Sequence, residues 1–227
     1  MREIILDTET TGLSPITGDR LVEIGCVELI NHLPTGKTYH IFLNPERDMP
    51  KEAEAVHGLS AQFLKDKPLF KSIVQEFLDF IQDSPLIIHN ASFDMGFINT
   101  ELANIGRDAI PASQVIDTLQ LARKAHPMGP NSLDALCKRY GIDNSKRTKH
   151  GALLDSELLA EVYLELIGGR QTALILQAQS ITRKIEVQIE DRKPRRRPAP
   201  LSPRLTDDEI NLHENQIKTL GSDSFWH

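Results

Sequence analysis

The spacing of hydrophobic residues divides most of the chain into an early group of strands and a later alternation of helices and strands. Apolar-rich segments at residues 3–6, 20–30 and 38–43 predict three strands, and the short connections between them favour an antiparallel meander. Apolar residues at steps of three and four over 70–81 predict an amphipathic helix, and the apolar run at 86–88 predicts a short strand after it.

The remainder of this region alternates between the two periodicities. Helices are predicted at residues 93–105, 132–140 and 153–167, and a brief strand at 115–116. A meander followed by helix–strand alternation is typical of an α/β domain with a mixed sheet flanked by helices. The pattern therefore predicts a mixed five-stranded sheet.

The pattern changes after the glycine pair at 168–169. Residues 192–204 hold four prolines and six Lys or Arg, with no acidic residue, so they predict an extended linker that buries little apolar area. We accordingly predict a domain at 1–179, a flexible basic linker at 180–204 and an extended or helical tail at 205–227. The only tryptophan, Trp226, lies in that tail, which favours a docking peptide, although a disordered tail is an alternative.

Composition and charge narrow the class of protein. Hydrophobic residues make up 40% of the 227 and charged residues 26%, and no apolar run approaches the roughly 20 residues that a membrane span needs. Cys26 and Cys137 lack metal-ligand or redox spacing, so we interpret them as reduced core residues of a cytoplasmic protein. A net charge of -6 argues against non-specific binding of polyanions, so any contact with nucleic acid must be local or assisted by metal ions.

Acidic residues lie near the ends of two predicted strands. Asp7 and Glu9 are two residues apart in a strand, so both side chains point to one face, where their repulsion is costly unless protons or divalent cations compensate it. Asp94 follows the predicted strand at 86–88, at the sheet edge where ligands collect in alternating folds. The alternatives are a solvated strand end for the pair and an ordinary first-turn helix acid for Asp94.

A third element is the segment HGALLD at 150–155. Asp155 begins the last predicted helix, and His150 precedes it on a loop, where a neutral imidazole could approach an attacking water as a general base. A single loop histidine is usually incidental, so this interpretation depends on the three elements together.

In order, DTE at 7–9, HNASFD at 89–94 and HGALLD at 150–155 resemble the three signature motifs of the DEDD exonucleases, in the histidine-bearing, DnaQ-like branch. The resemblance covers about residues 1–167. It implies a ribonuclease H-like fold, 3′ to 5′ hydrolysis of nucleic acid, and two divalent ions, Mg²⁺ or Mn²⁺, that clamp the attacking and leaving oxygens. The roles it implies are metal ligation by Asp7, Glu9, Asp94 and Asp155, with Asp7 bridging both ions, and proton transfer by His150.

The resemblance also implies contacts with the terminal nucleotide of a 3′ end. The corresponding residues here are Thr8, Glu9, Thr10, Thr11, Gly12, Val56, His57 and Phe93. Lys146, Arg147 and Lys149, beside His150, are candidate phosphate contacts, with a solvated loop as the alternative.

The C-terminal part of the chain carries the expectations about partners. Gln171, Leu174 and Leu176 fit the loose pattern of peptides that bind a sliding clamp, although a helix extension or apolar cap explains them as well. Residues 205–227 resemble the C-terminal segment of the proofreading subunits of bacterial DNA polymerase III. That resemblance implies docking on the polymerase alpha subunit and leaves open a further small core subunit. The alternatives are a free-standing nuclease that trims DNA or RNA 3′ ends, and a subunit that chiefly stabilises the polymerase.

Overall fold

The computed structural model of the protein describes residues 1–145, 147, 149–168 and 205–220. The chain divides into two units, Met1–Leu176 and Gln177–His227, which are described separately. Residues Gln171, Leu174, Leu176 and Trp226, and the predicted linker at 180–204, lie outside the described residues. The predicted division into domain, linker and tail therefore stays a prediction.

A single mixed sheet forms the centre of the first unit. Its strands are β1 (Arg2–Thr10), β2 (Leu21–Ile30), β3 (Leu33–Phe42), β4 (Leu86–Ile88) and β5 (Val115–Asp117), in the order β3-β2-β1-β4-β5. β1, β2 and β3 pair antiparallel, whereas β4 is parallel to β1 and β5 is parallel to β4. The predicted mixed five-stranded sheet with an antiparallel meander is confirmed.

Seven helices accompany the sheet in the described part of this unit. They are α1 (Lys51–His57), α2 (Ala61–Leu64), α3 (Phe70–Ile81), α4 (Ala91–Asn104), α5 (Thr118–Ala125), α6 (Leu133–Tyr140) and α7 (Ala152–Leu166). Four of them, α3, α4, α6 and α7, were predicted to within two residues at each end. The helices α1, α2 and α5 were not predicted: α1 and α2 have too few residues for a clear periodicity, whereas α5, as long as α6, follows directly on β5.

Successive residues of β1 pack on opposite faces of the sheet. Ile4 and Leu6 lie in the core that includes Phe77 of α3 and Phe97 of α4, whereas Ile5 lies in the core that includes Leu159 of α7. Since side chains alternate along a strand, Asp7 and Glu9 continue the α7 face. β1 runs past the predicted end at residue 6 because its ladder with β2 continues through these polar residues as far as Thr10. Hydrogen bonding by the backbone does not depend on side-chain polarity.

Gly25 of β2 allows α7 to begin against the sheet. A Cβ atom at Gly25 would lie 2.3 Å from the carbonyl carbon of Ala152, and the Ser156 hydroxyl donates to the Gly25 carbonyl at 2.9 Å. Gly25 is also the β2 partner of Asp7. The missing side chain therefore brings the first turn of α7, with Asp155, beside Asp7.

The described part of the second unit is one helix, α8 (Asp207–Leu220). It begins with a capping box, because the Glu209 carboxylate accepts a hydrogen bond from the Thr206 amide at 2.8 Å and the Thr206 hydroxyl accepts one from the Glu209 amide at 3.3 Å. Ile210 and Leu212 are exposed. Within the described ranges no helix has the length and apolar character needed to cross a bilayer.

Candidate active site

All five signature residues line one cleft at the end of β1. Asp7 and Glu9 come from β1, Asp94 from the first turn of α4, Asp155 from the first turn of α7, and His150 from the loop before α7. The cleft has a volume of about 420 Å³. The three sequence motifs, which are far apart in the chain, are therefore brought together in space.

Asp94 is held in place by Thr8. The Thr8 hydroxyl donates to Asp94 Oδ1 at 2.6 Å, and both residues are buried. Burial raises the pKa of Asp94, although the hydrogen bond from Thr8 opposes that rise. Thr8 lines the cleft, as predicted for a substrate residue, but its hydroxyl is engaged in orienting a carboxylate. The sequence analysis missed this pairing because Thr8 points to the opposite face of β1 from Asp7.

The carboxylates of β1 are in an environment that disfavours their charged forms. The pKa of Glu9 is raised from its ordinary value of 4.5 to about 8, chiefly by burial and then by the charges of Asp155, Glu23 and Asp94. The pKa of Asp7 is raised well above its usual range by burial and by the charges of Asp94, Glu9 and Asp155. Repulsion of this kind is relieved by protons or by cations.

The donor set fits hard divalent ions. Among the described residues, ligand atoms of Glu9, His150 and Asp155 lie within 4.8 Å of one another. Asp7 and Asp94 supply further carboxylate oxygens to the same cleft. Oxygen-rich, negatively charged sites of this composition suit Mg²⁺ and Mn²⁺.

Among the described residues, Arg147 places a positively charged side chain in this cleft. Its Nε and Nη2 atoms donate to Asp155 Oδ1 and Oδ2 at 2.5 and 2.7 Å. Nη1 contacts Asp134 Oδ1 and Nη2 contacts His150 Nδ1, both at 2.7 Å. The Arg147 side chain is only 7% exposed, so it is not a solvated loop residue. Asp134 was missed by the sequence analysis, because an acid in the first turn of a helix has an ordinary explanation.

The other two candidate phosphate contacts are placed differently. Lys146 lies outside the described residues. Lys149 packs beside Gly58, where its Cδ would lie 2.7 Å from a Cβ added to that glycine.

A second cleft of about 470 Å³ adjoins the first, and the two share Glu9, Leu13 and Phe93. Most of the residues predicted to contact a terminal nucleotide line it: Glu9, Thr10, Thr11, Gly12, Val56, His57 and Phe93. Thr8 lines only the first cleft.

His57 presents a neutral imidazole at the second cleft. Its Nδ1 accepts a hydrogen bond from the Leu59 amide at 3.0 Å, which leaves the ring proton on Nε2. Nε2 is buried and makes no hydrogen bond of normal geometry among the described residues. Burial also lowers the pKa of His57 and so favours the neutral form, although the nearby Thr10 backbone acts to raise that pKa. The backbone amide of His150 donates to the Val56 carbonyl at 3.2 Å, which ties the His150 loop to the same part of α1.

Asp19 shapes the loop that follows β1. Its carboxylate accepts hydrogen bonds from the Ser14 amide at 3.2 Å and the Thr11 hydroxyl at 3.3 Å, and it pairs with Arg47 at 2.8 Å. A Cβ atom at Gly12 would lie 2.3 Å from Asp19 Oδ2, so the loop closes against this side chain only because residue 12 is glycine. The sequence analysis did not identify Asp19, since no motif marks it.

Comparisons with solved structures support the fold. A structure described as exonuclease X in complex with 5′ overhanging duplex DNA matches with a TM-score of 0.57 and 24% identity, over 73% of this chain and 90% of that chain. The nuclease domain of 3′hExo, a DEDDh family member bound to rAMP, matches with a TM-score of 0.64 and 17% identity, over 73% and 91%. At these identities the likeness shows a shared fold.

Comparisons of sequence show the family as well as the fold. A family model described as exonuclease matches residues 4–163. The DNA polymerase III subunit epsilon of Rickettsia felis is 48% identical over 224 residues, which is 97% of this chain and 97% of that relative. The protein of the same name from Escherichia coli K12 is 43% identical over an alignment of 237 positions, which covers 99% of this chain and 97% of that relative. The chain therefore belongs to the exonuclease family and, within it, to the DNA polymerase III epsilon subunits.

Proposed function

We propose that this chain is the 3′ to 5′ exonuclease that proofreads for a bacterial DNA polymerase III by removing mispaired 3′-terminal nucleotides. The observation that carries the proposal is the convergence of the five signature residues on one cleft, beside a second cleft that could hold a terminal nucleotide. Likeness to epsilon subunits over nearly the whole length favours this role over that of a free-standing trimming nuclease.

We assign metal ligation to Asp7, Glu9, Asp94 and Asp155, for two ions that are Mg²⁺ or Mn²⁺. When bound, such ions neutralise the carboxylates and stabilise the negative charge that develops on the phosphate. Asp7 is the best candidate for a bridging ligand, because the charges of Asp94, Glu9 and Asp155 all act on it. These residues are held by β1 and by two helix starts, which limits their movement.

His150 is the proposed general base. Its side chain is 47% exposed at the cleft, so an attacking water can reach it. After accepting a proton, the imidazolium would have Asp155 Oδ2 at 3.3 Å from Nδ1 as a counter-charge. A group within hydrogen-bonding reach of the attacking water meets the geometric requirement of a general base.

The terminal nucleotide is proposed to occupy the second cleft. His57 lines this cleft with a neutral imidazole ring that could contact the terminal sugar. Phe93, packed against Phe97 with ring centroids 5.0 Å apart, offers an aromatic surface to a base or sugar. Contact through the sugar and the ring face would accept any terminal base, as the removal of different mismatches requires.

We further propose that residues 205–227 dock on the polymerase alpha subunit and, more weakly, that residues 171–176 bind a sliding clamp. The docking proposal is supported by α8, whose Leu212 side chain is 69% exposed. Ile210 is also exposed on this mostly polar helix, and exposed apolar residues of this kind suit insertion into a partner groove. Linking the nuclease to the polymerase would raise the local concentration of the second active site around a frayed 3′ end.

The test compares full-length variants in two parallel assays, degradation of a 3′-mismatched primer with Mg²⁺ and co-purification with the alpha subunit. We expect Asp7→Ala to abolish degradation and to retain binding of the alpha subunit. We expect Leu212→Glu to do the reverse. Gln216→Glu, at an exposed polar position of α8, is the matched control for the added charge and should retain both properties.

Two outcomes would contradict the proposal. If Asp7→Ala still degraded the primer, the carboxylate cleft would not be the active site. If the unaltered chain degraded the primer but did not bind the alpha subunit, the protein would be a free-standing nuclease.

A further inference from the structure

Arg147 contacts both members of the proposed catalytic pair formed by Asp155 and His150. Its guanidinium donates to both carboxylate oxygens of Asp155, at 2.5 and 2.7 Å, and its Nη2 lies 2.7 Å from His150 Nδ1. Arginine only donates hydrogen bonds and keeps its charge, so Nδ1 must be the acceptor in that contact.

That contact bears on the tautomer of His150, whose Nδ1 also lies 3.3 Å from Asp155 Oδ2. If Nδ1 accepts a hydrogen bond from Arg147, the neutral imidazole carries its single proton on Nε2. The ring then has no free lone pair, since one nitrogen is protonated and the other is engaged. In this arrangement His150 cannot accept a proton from a water molecule, although it lines the cleft.

The same contact restricts Asp155. Both of its oxygens are used by a planar fork of donors, in a residue that is 4% exposed. An ion that drew on these oxygens would be brought against a positively charged guanidinium at hydrogen-bonding distance. The arrangement therefore opposes the ligand role proposed for Asp155, because an ion would have to use the remaining lone pairs of the carboxylate beside a positive charge.

We propose that Arg147 is a displaceable counter-cation that holds the active site in an inactive state and must release both Asp155 and His150 before hydrolysis. This inference rests on the proposed metal-dependent function of the same cleft. Arg147 neutralises a carboxylate cluster that would otherwise repel itself, so the fold tolerates the cluster before ions are acquired. When Arg147 is released, Asp155 can bind an ion and His150 can accept a proton. The availability of the base is therefore coupled to ion binding.

Asp134 gives the released side chain a place to go. It is 58% exposed at the rim of the cleft and already accepts a hydrogen bond from Arg147 Nη1 at 2.7 Å. Arg147 can keep this partner while its other nitrogens leave Asp155 and His150. The movement is a rotation of one long side chain, with no change of the fold.

The test measures binding of Mn²⁺ alone to the full chain, by calorimetry and by the electron paramagnetic resonance of the free ion. Arg147→Met removes the fork and the charge, and we expect it to bind Mn²⁺ about tenfold more tightly, because a charge-assisted pair no longer has to be broken. Arg147→Lys keeps the charge but cannot span both oxygens, and we expect it also to bind more tightly than the unaltered chain. Circular dichroism would establish that each variant is folded.

Arg20→Met is the matched control. Arg20 makes the same two-pronged contact with a buried carboxylate, that of Glu101 at 2.6 and 2.9 Å, but neither residue lines the carboxylate cleft. It should be less stable than the unaltered chain and bind Mn²⁺ with unchanged affinity.

The possible results separate the proposals. Weaker binding by both Arg147 variants would show that Arg147 supports the site, and Arg147→Lys binding like the unaltered chain would reduce the effect to net charge; either result overturns the inference. Absence of Mn²⁺ binding by the unaltered chain would instead remove the proposed metal-dependent function, and this inference with it.

A second measurement needs no variant. Nitrogen-15 resonances of the arginine side chains, assigned through the backbone, report whether the Arg147 guanidinium is held by hydrogen bonds. We expect the Arg147 Nε–H to be protected in EDTA and to exchange faster when Mg²⁺ is added. Protection that is unchanged by saturating Mg²⁺ would show that Arg147 stays in place, and would overturn the inference.

Discussion

Strand β1 carries acidic residues near both of its ends, but the groups that surround these residues differ between the two ends. Near the start, Glu3 accepts a hydrogen bond from the Tyr163 hydroxyl at 2.9 Å and has His32 Nδ1 at 2.8 Å. At the other end, Asp7 and Glu9 share a cleft with other carboxylates.

The pKa values of carboxyl groups near the two ends of β1 shift in opposite directions. On the strand that pairs with the start of β1, a hydrogen bond from Arg2 lowers the pKa of Glu28. At the far end of β1, burial and like charges raise the pKa of Glu9 to about 8. Carboxylates with partners within the chain contribute to stability, whereas a cluster with an excess of negative charge costs stability and is retained for chemistry. We therefore interpret the first end of β1 as structural and the second as the end that serves the proposed chemistry.

The largest effect is expected from breaking the functional end. Asp7→Asn should lower the rate of exonuclease turnover by about 10³-fold or more, the loss found when a main electrostatic contributor is removed. The same variant should be no less stable in EDTA, because it removes one of several repelling charges. Single-turnover hydrolysis and thermal unfolding would test the two parts.

Glu28→Gln is the corresponding change near the structural end. It should keep the nuclease active and lower the melting temperature, by about 2–4 °C for each kcal/mol of lost pairing. Retained activity in Asp7→Asn, or lost activity in Glu28→Gln, would remove the distinction between the two ends.

A second prediction concerns the glycine that brings the two sides of the site together. Gly25→Ala would place a methyl group 2.3 Å from the backbone of α7, so we expect a loss of about 1–3 kcal/mol in the free energy of unfolding. Displacement of Asp155 should also reduce hydrolysis. Gly36→Ala is the control, since a Cβ there meets nothing within 4 Å and only its backbone angle, φ +85°, is strained. Normal activity in Gly25→Ala would show that the position of α7 is not critical.

A third prediction concerns the hydrogen bond that Glu3 accepts at the start of β1. Tyr163→Phe removes the hydroxyl that donates to the buried Glu3, which should cost about 1–3 kcal/mol of stability. Nuclease activity measured well below the melting temperature should not change, because Glu3 and Tyr163 do not line the carboxylate cleft. A parallel fall in activity would mean that the two ends of β1 are coupled.

The last prediction concerns the pH dependence of stability. The pKa of Glu9 is about 8 in the folded chain against an ordinary 4.5, so between these values the folded state binds more protons than the unfolded state. Stability in EDTA should therefore fall as pH rises through this window. Arg147 opposes the shift, which limits its size. Urea unfolding of Glu9→Gln should show a shallower fall than the unaltered chain, and an equal fall would assign the dependence to other groups.

Much of the site could be predicted because local geometry determines it. Asp7 and Glu9 share a face since strand side chains alternate, and Asp94 follows a strand whose apolar run, Leu86–Ile88, marks its end. The helices α3, α4, α6 and α7 were predictable from periodicity over two or more turns.

The contacts that tune the site could not be predicted in this way. Thr8 and Asp94, which form a hydrogen bond, are 86 residues apart in the sequence, and Ser156 and Gly25 are 131 apart. No periodicity relates such positions. The pairing of Arg147 with Asp155 spans only eight residues, but its direction depends on how the loop before α7 crosses the cleft.

By itself the sequence determined the order of the five strands and of helices α3, α4, α6 and α7, the five signature residues and the family that they resemble, because these follow from spacing along the chain. The tertiary structure decided which carboxylates have counter-charges and which do not. It also decided that Arg147 faces inward to Asp155 and that most of the residues predicted to contact a terminal nucleotide line a second cleft. Burial and charge pairing depend on distances through space, and those distances exist only once the sheet and α7 have packed together.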